Sequence, residues 1–169
     1  MKKLMLLTVL ALAVALTGCG KSAEMKKMET DLFASVNKMH VEGMALMTRA
    51  NSELSTIDET LTMCNKMVAE HPKEAEGHNH ADLLAAKEKL SAAVAGMKEW
   101  MSGFKPYDEN MKHEDVLAQL GKSKDGIVKV KADFDAALAA ADAAVTSHKA
   151  QAEEMMAKLA KPAKKGAKK

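Results

Sequence analysis

Residues 25–68 read MKKMETDLFASVNKMHVEGMALMTRANSELSTIDETLTMCNKMV, and one apolar row within them decides the fold. The row runs Met28, Leu32, Val36, Met39, Gly43, Leu46 or Met47, Ala50, Leu54, Ile57, Leu61, Cys64 and Val68, in steps of three and four. An α-helix, at 3.6 residues per turn, gathers such positions on one face, and the near-heptad spacing is that of helices packed side by side as in a coiled coil. The segment therefore predicts a first helix of about 45 residues.

Outward from it, prolines mark the boundaries. Pro72, Pro106 and Pro162 each fall between helical patterns. Residues 71–80, HPKEAEGHNH, interrupt the row with Pro, Gly and Asn and read as a connecting loop. A second helix is expected from about Ala81 to Phe104, with a seam of Leu83, Leu90, Val94, Met97, Met101 and Phe104 broadened by Trp100. After Tyr107, Asp108, Glu109 and Asn110, a third carries Leu117, Leu120, Ile127, Phe134, Leu138, Ala141 and Val145. Glu114 and Asp115 lie in its first turn, where the helix dipole favours anions.

Composition agrees. Thirty alanines and 14 methionines against 3% aromatic residues favour helix and leave no strand-forming runs, which argues against a β-sandwich, a barrel or a parallel α/β enzyme. The expected fold is an all-α antiparallel three-helix bundle. Its lengths do not match: about 70 Å and 60 Å for the first and third helices, about 36 Å for the second. Either the first helix breaks at Asn51-Ser52, giving a fourth, or its end near Met25 projects; the unbroken seam favours projection. The Ala-rich stretch 136–150 reads as a helix running past the compact part or packed closely on a partner.

The first twenty residues carry an address. Lys2 and Lys3 precede thirteen uncharged residues, 4–16, which as a helix span about 20 Å, short of a bilayer core of roughly 30 Å. That is a signal h-region. Leu16-Thr17-Gly18-Cys19 then resembles the bacterial lipobox, which implies cleavage before Cys19 and acylation of its sulfur. The division expected is signal peptide 1–18, tether 19–24, helical bundle 25–157 and a Lys-rich tail 158–169. With Gly20 and Lys21 after the cysteine and no Asp at the second position, an outer-membrane anchor facing the periplasm is favoured.

Charge is sorted along the chain. The body from Cys19 to Ala157 carries 17 basic and 23 acidic side chains, whereas Lys158, Lys161, Lys164, Lys165, Lys168 and Lys169 crowd the last twelve residues with no acid among them. Such a tail solvates the chain or meets a polyanion, and export points to envelope polyanions rather than nucleic acid. A terminal lysine opposite a lipidated end also resembles small lipoproteins joined covalently to peptidoglycan.

For chemistry, methionine stands out, with twelve in the 151 residues from Cys19 onward. Thioethers are soft ligands suited to Cu(I). His40, Met44 and Met47 share one helix face, and so do Met63, Met67 and His71, with Cys64 adjacent. The second group precedes His78 and His80, so one bundle end could gather two thioethers, a thiol and three imidazoles for copper or zinc. Against this, methionine at seam positions is ordinary core filling, and a lone seam cysteine reads as a buried, inert thiol. A Met/His pair could also ligate haem; without Cys-x-x-Cys-His, covalent haem is excluded. No Glu-x-x-His pair, His-Glu-x-x-His, phosphate loop or nucleophile elbow supports catalysis.

Residues 97–104, MKEWMSGF, then a short Pro-containing loop and a helix with Val116, Leu117, Leu120, Ile127 and Val130, resemble a group of small Bacteroidota lipoproteins often labelled "viral A-type inclusion protein". The similarity takes in the stretch from Met39-His40 to Met47 and spans roughly residues 25–145; it implies an address and a fold but no activity. The Lys tail and the His-rich loop lie outside that group's pattern. Two functions follow as expectations. The first is a lipid-anchored, non-catalytic envelope bundle with a structural or protein-interaction role, as a homo-oligomer or with a protein partner, using Trp100 and the tail lysines Lys164, Lys165, Lys168 and Lys169. The alternative is periplasmic copper or zinc binding through His71, His78, His80, Met63 and Met67.

Overall fold

The hydroxyl of Ser22 accepts a hydrogen bond from the backbone N–H of Met25 at 3.2 Å, and from that cap one helix, α1 (Ala23–Glu70), runs 48 residues. The computed structural model, which describes residues 21–73, 75, 76 and 78–160, adds α2 (Ala81–Gly103) and α3 (His113–Leu159). Cys19 with its lipobox, and the tail lysines from Lys161 onward, lie outside the described residues. The chain folds as the all-α three-helix bundle expected. Asn51 and Ser52 sit inside α1, so no fourth helix arises there. No described helix is long and apolar enough to cross a membrane.

The heptad is strict where it matters most. Glu29, Val36, Gly43, Ala50, Ile57 and Cys64, seven residues apart, are all buried, and α2 and α3 answer with Leu83, Ala86, Leu90, Ala93 and Met97 and with Ile127, Val130, Phe134, Leu138 and Ala141. Phe134 is the largest fully buried side chain. Small residues set the helix spacing: a Cβ on Gly43 would come within 3.1 Å of Met97 Cε and 3.3 Å of Ile127 Cδ1. Across the bundle, Glu29 meets His113, Arg49 meets Asp142 and Cys64 meets His148, so α1 and α3 run parallel, while Asp82 meeting His148 and Trp100 meeting Ser123 set α2 antiparallel to both.

The mismatch in helix length is resolved by the segment between α2 and α3. Phe104 leaves α2 with ψ 124°, and residues 104–112 continue beside α1 from the level of Phe33 to that of Glu29, through a turn in which the Met111 N–H donates to the Asp108 carbonyl at 3.0 Å. Phe33 of α1 packs on Phe104 (6.4 Å between centroids) and edge-on to Tyr107 (5.5 Å), and Gln119 Nε2 donates to the Lys105 carbonyl at 2.8 Å. Projection is thereby confined to the exposed first turns of α1, Ala23 to Met28. Just beyond them the buried Glu29 carboxylate accepts both Lys21 Nζ (2.8 Å) and His113 Nδ1 (2.9 Å). That triad closes the end nearest the N-terminus. The opposite end is closed by Cys64, His80 and His148.

Candidate metal centre

Each helix contributes at this far end for a local reason. Cys64 is the last member of the α1 heptad, 8% exposed. His148 continues the α3 seam seven residues after Ala141 and is 2% exposed. His80 and Asp82 stand at the start of α2, His80 as the residue before its first turn and Asp82 within it. Ligand atoms of Cys64, His80 and His148 all lie within 4.8 Å of one another.

His148 is the pivot. Its Nε2 lies 2.7 Å from Asp82 Oδ1, and because an ionised carboxylate only accepts, Nε2 carries the hydrogen. In the neutral imidazole the lone pair then sits on Nδ1, 3.9 Å from Cys64 Sγ, where it accepts the weak S–H donor. A metal at about 2.3 Å from sulfur and 2.0 Å from nitrogen holds the two about 3.5 to 3.7 Å apart. The Cys64–His148 pair is thus a few tenths of an ångström wider than a bound ion would hold it, and His80, with all three donors within 4.8 Å of one another, would have to move in to complete the set. Carboxylate, imidazole and metal in line is the arrangement that fixes a ligand's tautomer and raises its basicity.

The electrostatics prepare the donors. Burial, reinforced by the Asp82 charge, pushes the Cys64 thiol up, so it stays protonated at neutral pH until a metal displaces the proton. Burial first, then the neighbouring His148 and His78, lowers His80 against the pull of Asp82, leaving a neutral ring able to coordinate. Burial raises Asp82, but its hydrogen bonds from His148 and the Leu83 N–H together outweigh this and hold it below the usual carboxylate value. Among the described residues, His80 Nδ1 is buried without a hydrogen-bond partner. An orphaned buried nitrogen costs about 1–3 kcal/mol, which coordination would recover.

The donors border a small cavity shared with Met67, His78 and Met155. It admits the centre of one water-sized sphere, a volume of about 10 Å³. Cys64, His148 and Asp82 are also ordered like a nucleophile, its base and the group that orients the base. That space receives one ion or one water rather than an acyl group or a porphyrin, and a protonated thiol is a poor nucleophile.

Of the residues expected from the sequence, the fold brings Met67, His78 and His80 to this cavity. His78 Nδ1 pairs with Gln151 Oε1 at 3.0 Å. His71 instead ends α1, its N–H donating to the Met67 carbonyl, and Met63 lies on an adjoining open groove. His40 lies tilted against Trp100, their ring centroids 5.4 Å apart, while Met44 and Met47 pack on the core. Trp100 is half-buried and donates from Nε1 to the Ser123 carbonyl at 2.9 Å. Sequence reasoning missed His148 and Asp82, and set Cys64 aside as inert. The signal for His148 was its place on the α3 seam, where an imidazole among alanines needs a partner. No protein-family model, curated protein or solved structure matches the chain.

Proposed function

We propose that this protein is a lipid-anchored bacterial envelope bundle that binds one d¹⁰ transition-metal ion, Cu(I) or Zn(II), through Cys64, His80 and His148, with Asp82 orienting His148. The observation that carries the reading is the His148 imidazole, held by Asp82 on one nitrogen and facing a cysteine sulfur with the other. The ligand set revises the one expected from the sequence: of its five residues only His80 is kept, Cys64 and His148 join it, His78 and Met67 line the cavity, and Met63 and His71 lie outside it. The role remains non-catalytic, and the anchored bundle becomes a stalk for an ion. Cys64 lies 41 residues into α1, which places the centre about 60 Å from the helix end nearest the lipidation signal. The ion would stand clear of the membrane surface.

The test is a competition titration of the full-length protein against chelators for Cu(I) and for Zn(II), beside Cys64→Ser and His148→Ala. One equivalent bound more tightly than about 10⁻⁹ M, equal to about −12 kcal/mol, and lost in both variants is the expected result. Binding that survives both substitutions, or none in the wild type, defeats the proposal. Labelling with a radioactive fatty acid, lost in Cys19→Ala, tests the anchor.

A further inference from the structure

Beside the centre lies a groove between α1 and α3 lined by Met63 and Met156, 37% and 58% exposed, and by Met67 and Ala152, with two opposite-charge sets, Lys66 and Lys149 against Glu70 and Glu153, at its edges. Met67 and Ala152 line both this groove and the inner cavity, so they form the wall between them. Met155 reaches the same cavity from α3. Met63 and Met156 thus border the groove, Met67 both spaces, and Met155 the inner cavity beside Cys64. Exposed methionines scattered singly would need no explanation. Here Met63 and Met156 come from different helices and border one opening.

Donor chemistry separates the two candidate ions. Zinc takes thiolate, imidazole and carboxylate ligands, whereas a neutral thioether is a soft donor suited to Cu(I). Resting on the metal-binding reading above, we infer that the ion is Cu(I) and that the methionine groove is its way in, with Met63 and Met156 capturing it at the surface and Met67 passing it to Cys64, His80 and His148. The bookkeeping is simple. Cu(I) arrives from its carrier with no change of oxidation state, the Cys64 S–H bond gives way to an S–Cu bond, and the proton leaves to solvent. Each thioether contact is neutral and reversible, which suits residues that relay an ion inward.

Full-length protein under anaerobic conditions is mixed with the coloured Cu(I)–bicinchoninate complex, and loss of colour is followed by stopped flow. A second series adds Zn(II) at equal concentration. The comparison variant is Met63→Leu with Met156→Leu, which keeps side-chain volume and leaves the inner donors and Met67 untouched. We expect the wild type to take one Cu(I) in preference to Zn(II). The double variant should reach the same endpoint, its affinity within about threefold, but load about tenfold more slowly. Equal loading rates, or preference for Zn(II), overturn the inference while the metal centre stands. Failure of the wild type to bind either ion, with Cys64→Ser indistinguishable from it, removes the centre itself and the inference with it.

Discussion

Replacing Asp82 by Asn removes the negative charge that fixes His148 while disturbing little else. The carboxylate side chain is 53% exposed, and Asn can still cap the Leu83 N–H that Asp82 Oδ1 accepts at 2.9 Å. What changes is the 2.7 Å contact to His148 Nε2: an amide is a weaker acceptor and can turn its NH₂ toward the ring, favouring the tautomer with hydrogen on Nδ1, the atom facing Cys64. Loss of such a partner lowers metal affinity about 10- to 100-fold, or about 1.4 to 2.7 kcal/mol. At free metal 100 times the wild-type Kd, binding stabilises the native state by about 2.7 kcal/mol, falling to about 1.4 or 0.4 when Kd rises tenfold or a hundredfold. At about 2–4 °C per kcal/mol, the metal-induced rise in Tm should shrink from about 5–11 °C to about 1–6 °C. Thermal melts of both proteins, with and without buffered Cu(I), read this directly. Equal metal-induced shifts would show that Asp82 orients no ligand and would refute the account of His148.

Other consequences concern the scaffold. Ala is favoured over Gly inside a helix by about 1 kcal/mol, so Gly96→Ala and Gly121→Ala, where an added Cβ meets nothing within 4 Å, should raise Tm. Gly126→Ala should not share that gain, because its Cβ would lie 2.9 Å from Trp100 Cδ1 and the indole is pinned to Ser123; overpacking of this kind costs about 1–3 kcal/mol, which offsets or exceeds the helix gain and should lower Tm by up to about 8 °C. Phe134→Ala should cost about 3–5 kcal/mol in urea unfolding, the range for emptying a buried aromatic site. Glu29 supplies a pH dependence: the Lys21 hydrogen bond, opposed by burial and aided by His113, holds its carboxyl below the ordinary 4.5. A depressed folded pKa gives stability that is complete above the ordinary value and is lost as pH falls through the depressed one. Melts taken from neutral pH to about pH 3 should fall more steeply for wild type than for Glu29→Gln, which starts lower at neutral pH.

The helices were legible because their apolar rows repeat over many turns. A seam from Met28 to Val68 admits one secondary structure, and α1 spans Ala23–Glu70. Ala81 was read as the start of α2 and is its first residue. The irregular segment 104–112 was not legible as a structural member, since a stretch held by aromatic contacts has no period to detect. Glu29 shows the same limit at a single position: its place on the heptad is visible, but its burial depends on Lys21 and on His113, 84 residues away. The centre was half legible. Clustering of His78 and His80 near Cys64 and Met67 could be inferred from one helix end and its loop, whereas His148 comes from the far end of a helix whose register against α1 only the packed bundle sets. His71 and Met63 were drawn in by helical spacing alone, which does not report which face turns inward.

The central claim is that an ion sits among Cys64, His80 and His148, and crystals of the protein grown with Cu(I) under anaerobic conditions test it most directly, through an anomalous difference map at the copper edge. One dominant peak is expected inside the bundle, about 2.3 Å from Cys64 Sγ and about 2.0 Å from His148 Nδ1 and one His80 nitrogen, with Asp82 still bonded to His148 Nε2. Anomalous density confined to surface methionines, with Cys64 and His148 still 3.9 Å apart around empty space, would contradict it.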